Sequence, residues 1–239
     1  RSAQLKPPAP TGDMDFGNAF HRLVLEPRRF AEEYVVVPEN APRRQGKANL
    51  LWWAAFEAAN PGKLRLKPDE YKQLHCMKTG LYENPRAAEL LTDAKALREV
   101  VVVWDDPKYK RRCKGRLDLV ARWQGMSIVA DVKSAKDAAP RWFANDLETY
   151  DYAGQICWYL DGLNAVRPME GQERVPYFLV VEKDEPYCGV VYELGQASRD
   201  QARVDAAKYL DRYVEAEKNG QWPGYQDTVI ELPSWAFKF

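Results

Sequence analysis

Apolar positions along this chain alternate between a helical and a strand-like repeat, and the order of the switches predicts a fold. Phe16, Ala19, Phe20, Leu23 and Val24 recur at helical spacing, predicting a helix capped at Thr11 or Asp13 and ended by Pro27. Tyr34 to Val37 reads as a short strand. Leu50, Leu51, Trp52, Trp53 and Phe56 mark a helix over about 47–59, stopped by Asn60-Pro61-Gly62. Two further helices are expected over about 68–79 and 85–97. The β-branched run Arg98 to Trp104 then reads as the first central strand. Two more strands follow, Gly115 to Trp123 and Met126 to Lys133, with Gln124-Gly125 as a tight turn between them. A helix is expected from Pro140 to about Leu160, strands over 176–182 and 188–193, and a long helix over 196–218. Helices, three strands, a helix and more strands, in that order, predict an α/β fold: a central mixed β-sheet with helices on both faces.

One domain spans 1–239 in this reading. Residues 1–12, dense in proline at Pro7, Pro8 and Pro10, form an extended lead-in. A helical part covers 13–97, a catalytic core 98–193, and a C-terminal helix with an aromatic, turn-rich tail 194–239, the tail packing on the surface. No internal repeat or low-complexity stretch interrupts it. The chain opens on Arg1 rather than Met, so a trimmed or tagged start is expected.

The 239 residues are 46% hydrophobic and 29% charged, ordinary for a globular domain with a real core. No apolar run approaches the roughly 18–20 residues of a membrane span, so no membrane partner is expected. Four cysteines (Cys76, Cys113, Cys157 and Cys188) lie far apart with no Cys-x-x-Cys pair. That argues against zinc ribbons, iron–sulfur clusters and a disulfide framework, and for reduced thiols in the cytoplasm. Formal charge is zero, with 35 basic and 35 acidic residues, which counts against general coating of nucleic acid. A local run is basic, however: Lys108, Lys110, Arg111, Arg112, Lys114 and Arg116. It reads as a solvated surface or as a phosphate-binding track.

The chemistry concentrates in the hairpin. With a loop of two or four residues, Asp118 falls opposite Asp131, side chains on one face and Cβ atoms roughly 5 Å apart. Lys133 points to that face too. Facing carboxylates repel unless a cation lies between them, and oxygen ligands of this kind suit Mg²⁺. The layout fits a metal-dependent phosphodiesterase; an Asp–Lys pair on an exposed strand face is the alternative. Glu99 reads as a solvated strand-end acid or as a third metal-site carboxylate. His21 reads as a packing histidine or a ligand. Gln155 and Tyr159 share a helix face and either pack or present hydrogen-bonding heads to a phosphate.

Taken in order, these residues resemble the PD-(D/E)XK nuclease superfamily, and within it the RecE/exonuclease VIII-like and RecB-like group. The markers are Gly17 through Pro27; Glu99 before Trp104-Asp105-Asp106; Gly115-Arg116-Leu117-Asp118; Asp131-Val132-Lys133; Gln155 with Tyr159; and the tail Trp222-Pro223-Gly224-Tyr225 with Leu232-Pro233-Ser234-Trp235. The resemblance implies a restriction-endonuclease-like core and a Mg²⁺-dependent (Mn²⁺-tolerant) exonuclease. It would degrade linear duplex DNA from 5′ ends and leave 3′ overhangs for recombination by strand annealing. It implies a metal held by His21, Asp118, Asp131 and the Val132 carbonyl, with Glu99 helping a second, and Lys133 activating the attacking water. Gln155 and Tyr159 would contact the DNA end, with Arg116, Lys114 and Arg112 along the backbone. A ring-like homo-oligomer, a single-strand annealing partner and a bacterial or phage-encoded cytoplasmic setting are also implied. The group's usual N-terminal segment ahead of the first helix is not seen, and the cysteine cluster of some relatives is missing, so no iron–sulfur cluster is expected. A structure-specific endonuclease on the same scaffold and a non-cleaving DNA-binding module are the rival readings.

Overall fold

The computed structural model describes residues 12–169, 173–224 and 227–232. Helix α1 (Gly12–Leu25) contains Asp13 rather than being capped by it, and Thr11 lies outside the described residues. Pro27 ends α1 and also opens α2 (Pro27–Glu33), because a helix's first position has no use for the missing N–H. Then come β1 (Tyr34–Val36), α3 (Lys47–Ala59) and β2 (Leu64–Leu66). The stretch read as helical thus also holds a short parallel pair, β1 with β2. Helix α4 (Pro68–Glu83) is followed by α5 (Pro85–Thr92), whose first turn is capped by the Asn84 side chain accepting from the Arg86 and Ala87 amides.

The core strands are β3 (Leu97–Asp106), β4 (Arg111–Trp123) and β5 (Met126–Ala135). The predicted helix 140–160 is instead two, α6 (Pro140–Thr149) and α7 (Tyr152–Val166), broken where Asp151 adopts a left-handed backbone (φ 51°). Propensity does not announce that break. Strands β6 (Val175–Glu182) and β7 (Gly189–Glu193) and helix α8 (Gln196–Asn219) complete the order.

The sheet runs β3-β4-β5-β6-β7, antiparallel except for the parallel β5–β6 pair. Strand β3, read as central, lies at the edge, with Val101 and Val103 exposed. Central β5 and β6 are buried almost throughout, as strands covered on both faces must be. One apolar layer joins α1, α4 and α5 to Leu119, Ala130, Val132 and Leu179. The other joins α6, α7 and α8 to Leu117, Val129, Phe178 and Val180. No helix among the described residues is long and apolar enough to cross a membrane. In the tail, Trp222 packs edge-on against Tyr213, but Val229 and Ile230 are exposed, contrary to a tail packed on the surface throughout. Tyr225, Pro233, Ser234 and Trp235 lie outside the described residues.

Candidate active site

The hairpin closes through a two-residue loop in which Gln124 (φ 48°) and Gly125 (φ 82°) are both left-handed, the turn that matches strand twist. Trp123 therefore pairs with Met126, and the register runs back to Leu119 with Ala130. The ladder ends there, one step short of Asp118 and Asp131. Beyond that step β4 stays with β3, and β5 stays with β6. The two strands part at the carboxylates. The Val132 amide, with no β4 carbonyl to meet, donates instead to Asp118 Oδ2 at 2.8 Å.

Simple alternation also fails at this point. Leu117 and Leu119, on one strand and two apart, lie in opposite apolar layers. Opposite Asp118 in the β3–β4 register stands Glu99, a non-glycine residue with φ 52°. Backbone in that region costs on the order of 1–3 kcal/mol and clusters at functional sites. The reversal turns Asp118 toward the first layer, where α1 presents His21. Its Nδ1 lies 3.3 Å from Asp118 Oδ2. Ligand atoms of His21, Glu99 and Asp118 all lie within 4.8 Å of one another. Glu99 thus joins the central group rather than standing off beside it.

Asp131 and Lys133 lie on the α7 side, following β5's alternation. Lys133 Nζ is 2.6 Å from Asp131 Oδ2, donates to Gln155 Oε1 at 2.9 Å, and sits 4.2 Å above the Tyr152 ring. Gln155 Nε2 in turn donates to the Tyr159 hydroxyl at 3.2 Å. Tyr159 reaches this place only because Gly115 has no side chain: a Cβ there would stand 2.9 Å from the ring.

Burial and the neighbouring Asp131 push the Asp118 carboxyl well above the usual carboxylate range. A cation reverses that balance by favouring the ionised form. Burial lowers the His21 imidazole to about 4, so it is neutral at pH 7 with a lone pair to give. Two buried carboxylate oxygens, Glu99 Oε2 and Asp131 Oδ2, make no aligned hydrogen bond, although Arg116 Nε and Lys133 Nζ lie 2.9 and 2.6 Å away. Hard oxygen donors with spare lone pairs beside a neutral imidazole fit a divalent cation.

The sign of one pH effect follows. An unfolded imidazole takes up a proton near 6.5, the folded one only near 4. Stability contributed by neutral His21 is complete above 6.5 and is lost as pH falls toward 4. Urea midpoints of the metal-free protein should fall across that window more for the wild type than for His21→Gln. Equal slopes would contradict a half-buried imidazole held neutral.

These groups line one wall of a cleft of about 1050 Å³. Ser134, Lys136, Lys183, Tyr150 and Tyr152 line it too, none of them singled out from sequence. Lys136 and Lys183 follow β5 and β6 at the carboxyl ends of the parallel pair, where α/β sheets bind ligands. No local spacing pairs Lys136 with Lys183, which the parallel pairing of β5 and β6 brings to one end of the sheet. Of the basic run, Arg116 lines the cleft and Lys114 an adjoining groove. Arg112 lines neither; it pairs in register with Asp105. Lys108 and Arg111 pair with Asp211 and Glu217 of α8. Much of that run is structural.

Residues 2–230 match the family described as "PDDEXK-like domain of unknown function (DUF3799)". No curated protein matches the chain. Among solved structures, a "Putative exonuclease" from Eubacterium rectale superposes at TM-score 0.54 and 10% identity, over 97% of this chain and 80% of its own. That likeness concerns the fold. The structure of SSO0001 (TM-score 0.33, 16% identity, 80% of this chain and 85% of that one) is too distant to bear on it.

Proposed function

The chain belongs to the PDDEXK-like family that its residues 2–230 match, within the PD-(D/E)XK nucleases, and from that premise we propose a Mg²⁺-dependent 5′-to-3′ exonuclease acting on linear duplex DNA. The observation that carries the reading is the convergence of His21, Glu99 and Asp118 with the Asp131–Lys133–Gln155–Tyr159 chain on one cleft. His21, Glu99, Asp118 and Asp131 would hold the cation, with the Val132 carbonyl as a further donor. When bound, it supplies Lewis-acid stabilisation of phosphate oxygens and a nucleophile at neutral pH.

The chain's own groups do the rest. An ammonium has three donors; Gln155 accepts one and Asp131 holds Lys133 Nζ by charge, which leaves a proton for a phosphate oxygen or the attacking water. Gln155 is held with its carbonyl toward Lys133 and its amide toward Tyr159, whose hydroxyl proton is left for a second phosphate oxygen. Burial raises the Tyr159 hydroxyl above its ordinary range, so it stays a donor at working pH. Arg116, Lys136 and Lys183 draw the backbone into the cleft.

The same reading assigns a role in recombination by strand annealing, with an annealing protein as partner and a bacterial or phage cytoplasm as setting. A ring-like homo-oligomer draws support from α3, which buries none of its residues and exposes Leu50 and Leu51.

Linear duplex labelled separately at each 5′ and 3′ end tests the reaction. Early release of the 5′ label as mononucleotide, with Mg²⁺ and not with chelator, is the expected result. Internal fragments, or cutting of closed circular DNA, would favour an endonuclease. Absence of cleavage with any divalent metal would leave a binding module.

A further inference from the structure

Beside the cleft, separated from it by Tyr152, Gln155 and Tyr159, runs a second groove of about 780 Å³ that the catalytic groups leave unfilled. Its walls are aromatic. Tyr150, just past the end of α6, and Tyr209 of α8 are 60% and 59% exposed, and Trp158 of α7 lines the groove with them, its indole N–H donating to the Lys114 carbonyl at 3.2 Å. Large exposed rings gathered on one surface mark a binding site more often than chance. The left-handed Asp151 that breaks α6 from α7 also builds this wall. It lets Tyr150 and Tyr152 stack with centroids 5.3 Å apart, and Tyr152 in turn lies under Lys133 Nζ. A line of rings therefore leads out of the catalytic cleft into the groove. The rim carries Lys114 and Arg116, with Asp151 as the acid among its lining residues.

We propose that this groove binds unpaired nucleotides of a DNA strand, continuous with the phosphate under attack. The inference rests on the nuclease reading and deepens it. A duplex hides the faces of its bases, whereas unpaired bases offer them to aromatic rings, and stacking tolerates any sequence. Basic side chains beside the rings serve the phosphates between those bases. The groove adjoins Gln155 and Tyr159, so a strand leaving the catalytic groups meets Tyr150 first and Tyr209 of α8 beyond it. An apolar peptide would have no use for the paired basic rim, and a duplex none for the rings.

The test is equilibrium binding of a fluorescent oligothymidylate in chelator, where nothing is cut. Tyr209→Ala should weaken binding by at least about fivefold, the loss of one stacking contact. Tyr209→Phe should bind as the wild type does, because the ring and not the hydroxyl is used. Lys114→Ala should lower the salt dependence by about one counterion. Tyr209 is exposed, so its truncation leaves no cavity in the core. Unchanged affinity in Tyr209→Ala would overturn the proposal, as would a short blunt duplex that depends on Tyr209 as strongly as the single strand does. Loss of oligothymidylate binding in Tyr209→Ala, in a wild type that cleaves no DNA, would overturn the reaction and leave the groove standing.

Discussion

Lys133→Met is expected to abolish cleavage and, in the metal-free protein, to lower stability by about 3–5 kcal/mol. Both effects have one cause. Lys133 and Asp131 are a buried ion pair, their side chains 12% and 4% exposed. Removing one partner strands the other charge in a poorly solvated place, and Asp131 Oδ2 has no aligned donor to fall back on. Methionine keeps the stem's volume, so the loss reports charge rather than packing. Adding Asp131→Asn should recover most of the stability and none of the activity. That pattern separates the two roles. Urea melts and single-turnover cleavage of labelled duplex measure it, and turnover within tenfold of wild type in the single variant would remove Lys133 from the site.

Asp118→Asn should behave in the opposite way. Cleavage should fall on the order of a thousandfold, since a cation contributes several kcal/mol to the reaction and each ~1.4 kcal/mol is tenfold. The metal-free variant should nonetheless be at least as stable as the wild type at pH 7. Burial and Asp131 push the Asp118 carboxyl well above 3.8, so the wild type loses stability as pH rises above that value. Asparagine carries no such charge, and its oxygen can still accept from the Val132 amide. What it should lose is stabilisation by metal, which scales as RT ln(1 + [M]/Kd). Thermal melts with and without Mg²⁺ or Mn²⁺ read this directly. A variant still stabilised by metal as strongly as the wild type would show that Asp118 is not a ligand.

Both variants probe groups of the hairpin, and the groups around them differ in how plainly the sequence displays them. Asp131 and Lys133 were legible as a pair because a period of two puts them on one face of β5. Asp118 was named from the same hairpin, but the switch of facing between Leu117 and Leu119 turns it toward the other layer instead of the shared face expected. Gln155 and Tyr159 were legible as a pair because helical spacing puts them on one face. His21 and Glu99 stayed open on the residues alone, each with a structural alternative, and only the resembling pattern made them site residues. Neither spacing nor composition brings a residue of the first helix to a strand eight elements later.

The overall α/β class, the succession of the core strands along the chain and the pairing of the hairpin next to its turn follow from local rules that act over a few residues, and those the sequence determined by itself. Three things were decided only by the tertiary structure. The parting of β4 and β5 at the carboxylates happens while each strand keeps its other neighbour, β3 and β6, so the sheet around the hairpin holds the two apart. The left-handed Glu99 and the switch of facing between Leu117 and Leu119 arise where two apolar layers meet one strand. The left-handed Asp151 turns one predicted helix into two and sets Tyr150 against Tyr152. Each is a locally unfavourable or unforced choice held in place by contacts distant in sequence, which is why no periodicity records it.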